Sequence, residues 1–394
     1  MAQEISAQEL QGIAKSHPFF QLCAAMTSLI AKLKGECAAF GTFAKFVGQM
    51  LCDPSVYTKV RLRQFVMAFF GMVHEAITNS GQTCEQVAEA SCGKGNFAAL
   101  EGKVAIVTGA SNGLGLENAR VLMKYGCHVI WAVRNPAKAK KALEEMEAKE
   151  GKYSGKATIL KVDISDLSTV RPFVDEFLNL KLPLHKLILN AGIVGFLQWE
   201  PSKQGYESMF ATNNLGHFLM TKLLLPKLEE TAKTSEVRIV ILSSACASMC
   251  SGMDLSKLPV PKDWYHVFAD YCVTKACDSF HARNLQKKYA GTNIYTTCVH
   301  PGLIPTGISD GNPYGNLFFK SMTFAPFRKG IPSGSATTMY CALSPEIPEH
   351  VKKGYFFYYN RRPQLSMGIS KPGVADHLVE QLETLQMQLV KPFM

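Results

Sequence analysis

From about residue 100 onward the chain alternates short runs of β-branched and aliphatic residues with longer amphipathic stretches, and a glycine-rich turn closes the first alternation. Strands are predicted at 104–108, 128–133, 158–162, 186–189, 238–243 and 293–299, and helices at 116–125, 138–149, 167–178, 205–228 and 271–289. Repeated strand–helix units bury their strands best in a parallel sheet covered on both faces, so the fold class is α/β. At 394 residues the chain has room for that domain and a smaller unit beside it. Residues 1–92 supply the smaller unit. Their apolar positions recur at helical spacing, broken by Gly35, by Asp53-Pro54 and by Asn79-Ser80-Gly81, and they hold no acid/base cluster. Residues 93–99 read as a linker and 100–394 as the α/β domain, ending in a C-terminal helix.

The first strand runs directly into TGASNGLG, residues 108–115, and then into a helix. Gly109 permits the tight turn, Gly113 lets backbone approach a pyrophosphate, and Gly115 allows close helix–sheet packing. The helix N-terminus offers unpaired N–H groups and partial positive charge to phosphate. Ser111, Asn112 and Leu114 complete this cofactor-binding turn. The domain is therefore predicted to be a Rossmann-type doubly wound parallel sheet, preceded by the small all-helical N-terminal region. The second strand ends at Val133 without the acid that would hold an adenosine ribose, and Arg134 follows with a fork of donors suited to a 2′-phosphate. The expected cofactor is NADP(H).

A second group of residues carries the chemistry. Tyr271 and Lys275, in YCVTK, stand at i and i+4 of a predicted helix. A phenol has an ordinary pKa of about 10, and a nearby ammonium lowers it toward the range useful for proton transfer. Ser243 and Ser244 end the fifth strand, where a hydroxyl can bond a substrate carbonyl, and the residues alone leave the two alternatives open. Asn213, in TNNLGHF, is placed to interrupt helix bonding and hold a water near Lys275. Asn190, Ala191 and Gly192 follow the fourth strand and let backbone pass close to the cofactor. His300-Pro301-Gly302, with Thr306 beyond, follows the sixth. All lie at or just past strand C-termini, where open α/β sheets bind ligands.

This ordered set resembles the short-chain dehydrogenase/reductase family over residues 100–345. NNLGHF, the long stretch between Ser244 and Tyr271, HPG and GSATTMYC are most like its retinol dehydrogenase and WW-domain oxidoreductase branch, without WW domains, since residues 1–98 contain no tryptophan. The resemblance implies Tyr271 as acid/base, Lys275 on the nicotinamide ribose, Ser244 on the substrate carbonyl, Asn213 as fourth member, and Asp163 near adenine. It implies an alcohol–carbonyl oxidoreductase acting on a rather apolar substrate such as a retinoid, steroid or lipid-like compound. It also implies a homodimer through the two long helices. Protochlorophyllide reductases share YxxxKxC, met here by Cys277.

Charge and cysteines narrow the alternatives. The net charge of +10 comes from dispersed basic residues, which excludes a dedicated nucleic-acid surface. Twelve cysteines show no zinc spacing, so no metal is expected. Free thiols and the lack of a leader-like start give a cytoplasmic expectation. Lys32, Lys34, Lys45, Arg61 and Arg63 flank apolar helix faces, which adds peripheral membrane contact as an alternative to ordinary packing. The competing function is an NADP(H)-binding scaffold acting through the N-terminal helices.

Overall fold

The computed structural model describes residues 81–195, 198–250, 255–304, 306–309, 329–359, 361–363 and 376–394. The predicted helices of residues 1–80, with the basic positions Lys32 to Arg63, lie outside the described residues. So does most of the apolar stretch 304–328, expected to cap a substrate pocket together with 250–268.

Eight strands form one sheet in the order β3-β2-β1-β4-β5-β6-β7-β8. These are β1 (Val104–Thr108), β2 (His128–Val133), β3 (Lys156–Lys161), β4 (Lys186–Leu189), β5 (Val237–Leu242), β6 (Ile294–His300), β7 (Phe357–Tyr359) and β8 (Arg362–Pro363). All pairs are parallel except β7 with β8. The order reverses direction beside β1, between β1 and β4, which is the switch point where such sheets bind ligands.

Alternation along β1 divides the core. Val104 and Ile106 join one apolar cluster, Ala105 and Val107 the other, because successive strand side chains point to opposite faces. The helices are α1 (Cys84–Cys92), α2 (Gly113–Lys124), α3 (Pro136–Glu150), α4 (Val170–Asn179), α5 (Gly216–Ala232), α6 (Val267–Lys288), α7 (Ile331–Leu343), α8 (Ile347–Lys352) and α9 (Asp376–Val390). One face carries α4, α5, α6 and α9. The other carries α1, α2, α3 and α7. Asn112 and Asn135 cap α2 and α3, each side chain accepting from backbone N–H, and Pro136 follows at the first turn of α3.

The two long helices differ from their predicted bounds. A wide turn of π-helix, Phe210–Leu215, precedes α5, and α6 starts four residues before Tyr271 because the His266 side chain caps it. The linker was expected to begin at residue 93, and α1 ends at Cys92 with Gly93 as its C-cap. Yet α1 packs on α2 and α7, and buries Cys84, Val87 and Ala88 in the cluster of that face. It adds to the α/β core. Across the opposite face, Glu383 of α9 bonds both Lys222 of α5 and Asn284 of α6. This part of α9 covers the helices through which the resemblance implies a dimer.

Candidate active site

The site gathers at the C-terminal ends of the central strands. Gly109 and Gly113 have φ of 69° and 57°, the left-handed region that a side chain strains. A Cβ on Gly115 would lie 2.4 Å from the Gly109 carbonyl oxygen and 2.5 Å from Asn190 Nδ2, so α2 can begin this close to the sheet only without one. Asn112 Oδ1 accepts from Gly113 N at 2.8 Å. Ser111 precedes it, and the Leu114 carbonyl accepts from Ser335 of α7 at 3.4 Å. The loop after β6 closes over this turn: Thr306 Cγ2 lies 3.4 Å from the place of a Gly113 Cβ. Behind it, Pro301 and Gly302 follow β6, Gly302 at φ 100° with the Lys329 side chain across it.

Thr108, at the end of β1, ties this turn to the next strand. Its buried hydroxyl accepts from the backbone N–H of Asn190 at 2.8 Å and of Ala191 at 2.9 Å. Its own proton is then left for His217 Nε2, 2.9 Å away. His217 must carry its proton on Nδ1, which faces the Asn213 carbonyl oxygen at 3.2 Å. Burial pushes the imidazole pKa down to about 3 and keeps the ring neutral. Sequence reasoning quoted the motif that holds His217 and assigned the residue nothing. The available signal was its place one turn beyond Asn213.

Asn213 lies inside the π turn, but its amide does not interrupt backbone bonding as expected. Its Oδ1 accepts from Ile193 N at 2.8 Å, and its Nδ2 donates to Ile193 O at 2.9 Å and to Thr274 Oγ1 at 3.2 Å. The wide turn does the interrupting, and the amide is spent clamping the loop after β4. A Cβ on Gly192 would lie 3.3 Å from Asn213 Oδ1 and 3.8 Å from Lys275 Nζ, so these three residues meet.

The two serines separate. Ser243 Oγ donates to the Lys275 carbonyl at 2.7 Å and shares a bond with Ser279, while the Ser244 hydroxyl accepts from Cys246 N at 3.2 Å and is a neighbour of the Tyr271 phenol. Lys275 stands one turn along α6, its Nζ 6.0 Å from the centre of the Tyr271 ring. It donates to the Leu242 carbonyl and to Asp278 Oδ2, both at 2.9 Å. The expected lowering of the phenol by Lys275 is not what this arrangement produces. Burial foremost, then the Cys246 thiol, push Tyr271 upward, and the ammonium is paired with a buried carboxylate. Asp278 was missed, though an acid three residues past a helical lysine is a readable pattern.

Arg134 and Asp163 lie on the far side of β1. Arg134 is exposed directly after β2, with no ion pair among the described residues. Asp163 follows β3, and one of its oxygens accepts from Ser165 N at 3.0 Å and Ser165 Oγ at 2.6 Å. Cys277 is wholly buried, and burial holds its thiol protonated. In the segment 255–268, the Val260 carbonyl accepts from Trp199 at 3.0 Å. Tyr265 stands against Gly195 beside Met209.

A dinucleotide fits what is present. The glycine turn is a cradle that side chains would fill, and the 12-residue α2 opens on it. Asn190 Oδ1 beside it is buried without a partner.

The profile of the short chain dehydrogenase family matches residues 103–313, and the chain belongs to that family of nicotinamide-dependent oxidoreductases. Among its relatives, "Short-chain dehydrogenase TIC 32 A, chloroplastic" from Brassica napus is 40% identical over 64% of this chain and 79% of its own length. Retinol dehydrogenase 12 from Mus musculus is 34% identical over 65% of this chain and 78% of its own. The WW domain-containing oxidoreductase of Danio rerio is 34% identical over 63% of this chain but only 60% of its own length. The Brassica relative is named as chloroplastic, so family membership fixes no compartment. Among the described residues no helix is long and apolar enough to cross a membrane.

Proposed function

We propose that the chain interconverts an alcohol and a carbonyl with NADP(H), Tyr271 acting as the acid/base on a rather apolar substrate. The observation that carries this reading is the convergence of Ser244, directly after β5, with Tyr271 and Lys275 one turn apart on α6, the ammonium 6.0 Å from the centre of the Tyr271 ring. A bound nicotinamide supplies the hydride in reduction and takes it up in oxidation.

Ser244 orients the substrate oxygen. In reduction the Tyr271 O–H bond breaks and its proton joins the carbonyl oxygen, leaving a phenolate and an alcohol. In oxidation the phenolate takes that proton back. Lys275 has three N–H donors and spends two on Leu242 and Asp278, leaving one to hold a ribose hydroxyl. Asn213 fixes the loop of Ile193, which keeps Gly192 open beside the ammonium. Gly109, Ser111, Asn112, Gly113, Leu114 and Gly115 hold the pyrophosphate, Asp163 the adenine side, and Asn190, Ala191, Pro301, Gly302 and Thr306 the nicotinamide side.

Arg134 favours NADP(H) because it is exposed, follows β2 directly and has no ion pair to give up among the described residues. The apolar substrate class is supported by the relative named retinol dehydrogenase 12. Titration of NADPH and NADH against Arg134→Ala tests the cofactor. Loss of about 1.5–3 kcal/mol, roughly ten- to a hundredfold, is expected for NADPH alone, and an unchanged preference removes Arg134 from the reading. NADPH oxidation across retinoids, steroids, quinones and aliphatic aldehydes tests the substrate class. Activity confined to small polar carbonyls contradicts it.

A further inference from the structure

Behind Lys275 lies a polar chain that the proposed reaction does not use. Asp278, one turn further along α6, accepts from Lys275 Nζ on Oδ2 at 2.9 Å and from Asn214 Nδ2 on Oδ1 at 3.4 Å. Asn214 belongs to the π turn, and its Oδ1 accepts from Gln386 Nε2 of α9 at 2.6 Å. All four residues are buried, none more than 3% exposed. Every donor in this chain points inward: Gln386 to Asn214, Asn214 to Asp278, Lys275 to Asp278. Donors on both oxygens favour the ionised carboxylate. Burial raises the Asp278 carboxyl above its ordinary value, and Lys275 and then Asn214 oppose that rise. A buried ion pair is tolerated when its remaining bonding capacity is filled.

We propose that Asp278 is a positioning residue whose charge restrains Tyr271 from ionising, and that α9 holds it in that role through Gln386 and Asn214. The proposal rests on the reading of Tyr271 as the acid/base. Lys275 and Asp278 form a locally neutral pair, so the ammonium alone does not act on the phenol. Burial raises Tyr271, and the Asp278 charge adds to that rise. The C-terminal helix, through a side chain that touches neither substrate nor cofactor, sets the pH at which the site can take a proton from an alcohol.

Other charged and titratable groups face this cluster. Cys246, from the turn after β5, and Cys272, from α6, face Tyr271; hydrogen bonding to Cys272, then burial in opposition and Ser244, leave the Cys246 thiol below its ordinary value. His217 of α5 faces Lys275 and is neutral. Cys277 and Cys298 face Asp278, and burial keeps both thiols protonated. Cys246 is therefore the one thiol whose own titration would confuse the result, and Cys246→Ala removes it.

The test is carried out on the full chain in that background, with difluorotyrosine in place of tyrosine. Fluorination acidifies the phenol and brings its titration into a range where proteins stay folded. The Tyr271 resonance is the one missing from Tyr271→Phe. Asp278→Asn is expected to lower its midpoint by about one unit, since removing a neighbouring like charge favours the phenolate. Gln386→Leu should lower it by less, because Asp278 loses an oriented donor and holds its proton more readily. In the natural chain, the rising limb of alcohol oxidation against pH should move the same way. A purely structural role would lower activity at every pH and leave the midpoint fixed. An unmoved fluorine midpoint in both variants overturns the proposal, and if Asp278→Asn does not fold, Gln386→Leu decides it alone. If Tyr271→Phe keeps full turnover, the proposed function fails instead, while the fluorine titration still reports on Asp278.

Discussion

Helices α1 and α9 lie at opposite ends of the described chain, outside the family match at 103–313, and pack on opposite faces of one sheet. Their contacts differ in kind. α1 is held by a capping box between Thr83 and Gln86, by three buried apolar side chains, and by Glu85, which pairs with Arg120 and Lys124 of α2. None of these contacts leads to the site. α9 buries Val379, Leu382 and Val390, but between them Gln386 enters the core and reaches Asn214. Both additions bury apolar surface. α9 spends a buried amide to do it, and that amide reaches Asn214, which bonds Asp278 and through it Lys275. An appended helix can thus strengthen a fold without touching its chemistry, or be joined to it through a single amide.

The comparison breaks most easily at α1. Chains beginning at Gly81 and at Ala98 differ mainly by this helix. The shorter one is expected to be less stable by about 3–5 kcal/mol, from re-exposure of Cys84, Val87, Ala88 and the surfaces they cover. Urea unfolding measures the difference, and equal stabilities would mean that α1 contributes nothing to the core. The fraction that stays folded should show an unchanged pH profile, since nothing in α1 reaches Tyr271.

A smaller effect is expected at Glu383. Burial opposes its ionisation, but Lys222 and Asn284 outweigh it and hold the carboxyl below its ordinary value of 4.5. A depressed folded pKa gives stability that is present above the unfolded pKa and lost as pH falls through the folded one. Glu383→Gln should therefore cost about 1 kcal/mol at neutral pH. Melting curves of the two proteins should converge as the pH drops below the unfolded pKa. A gap that persists in acid would show that packing, not charge, is what Glu383 supplies. The smallest effect belongs to Glu85→Gln in α1, where the pair is partly exposed and screened: at most about 0.5 kcal/mol, vanishing in high salt.

How far the sequence could be read follows the range of the interactions involved. The bounds of β1, β2 and β4 are as predicted, because alternation within a strand and a glycine or polar break at its end are local signals. The glycine turn was legible for the same reason. The packing of α1 was not, since Cys84, Val87 and Ala88 at helical spacing do not say which surface covers them. Residue types alone left Ser243 and Ser244 as alternatives. Ser243 turns to the Lys275 carbonyl through a contact 32 residues away, which no local pattern encodes. The same holds for Gln386 and Asn214, 172 residues apart. Asn213 stands out by its motif, but the bonds of its amide to Ile193 and Thr274 were not foreseen, because a π turn is not visible in apolar periodicity.

The central claim is that Tyr271 moves the proton. Tyr271→Phe keeps the ring and its packing and removes only the phenol oxygen. Single-turnover rates and fluorescence binding of NADPH, measured on the same preparation, test the claim most directly. The expected result is a fall in turnover of about 10²–10⁴-fold, with NADPH affinity nearly unchanged. Full turnover in Tyr271→Phe, with cofactor bound as in the natural chain, would contradict it.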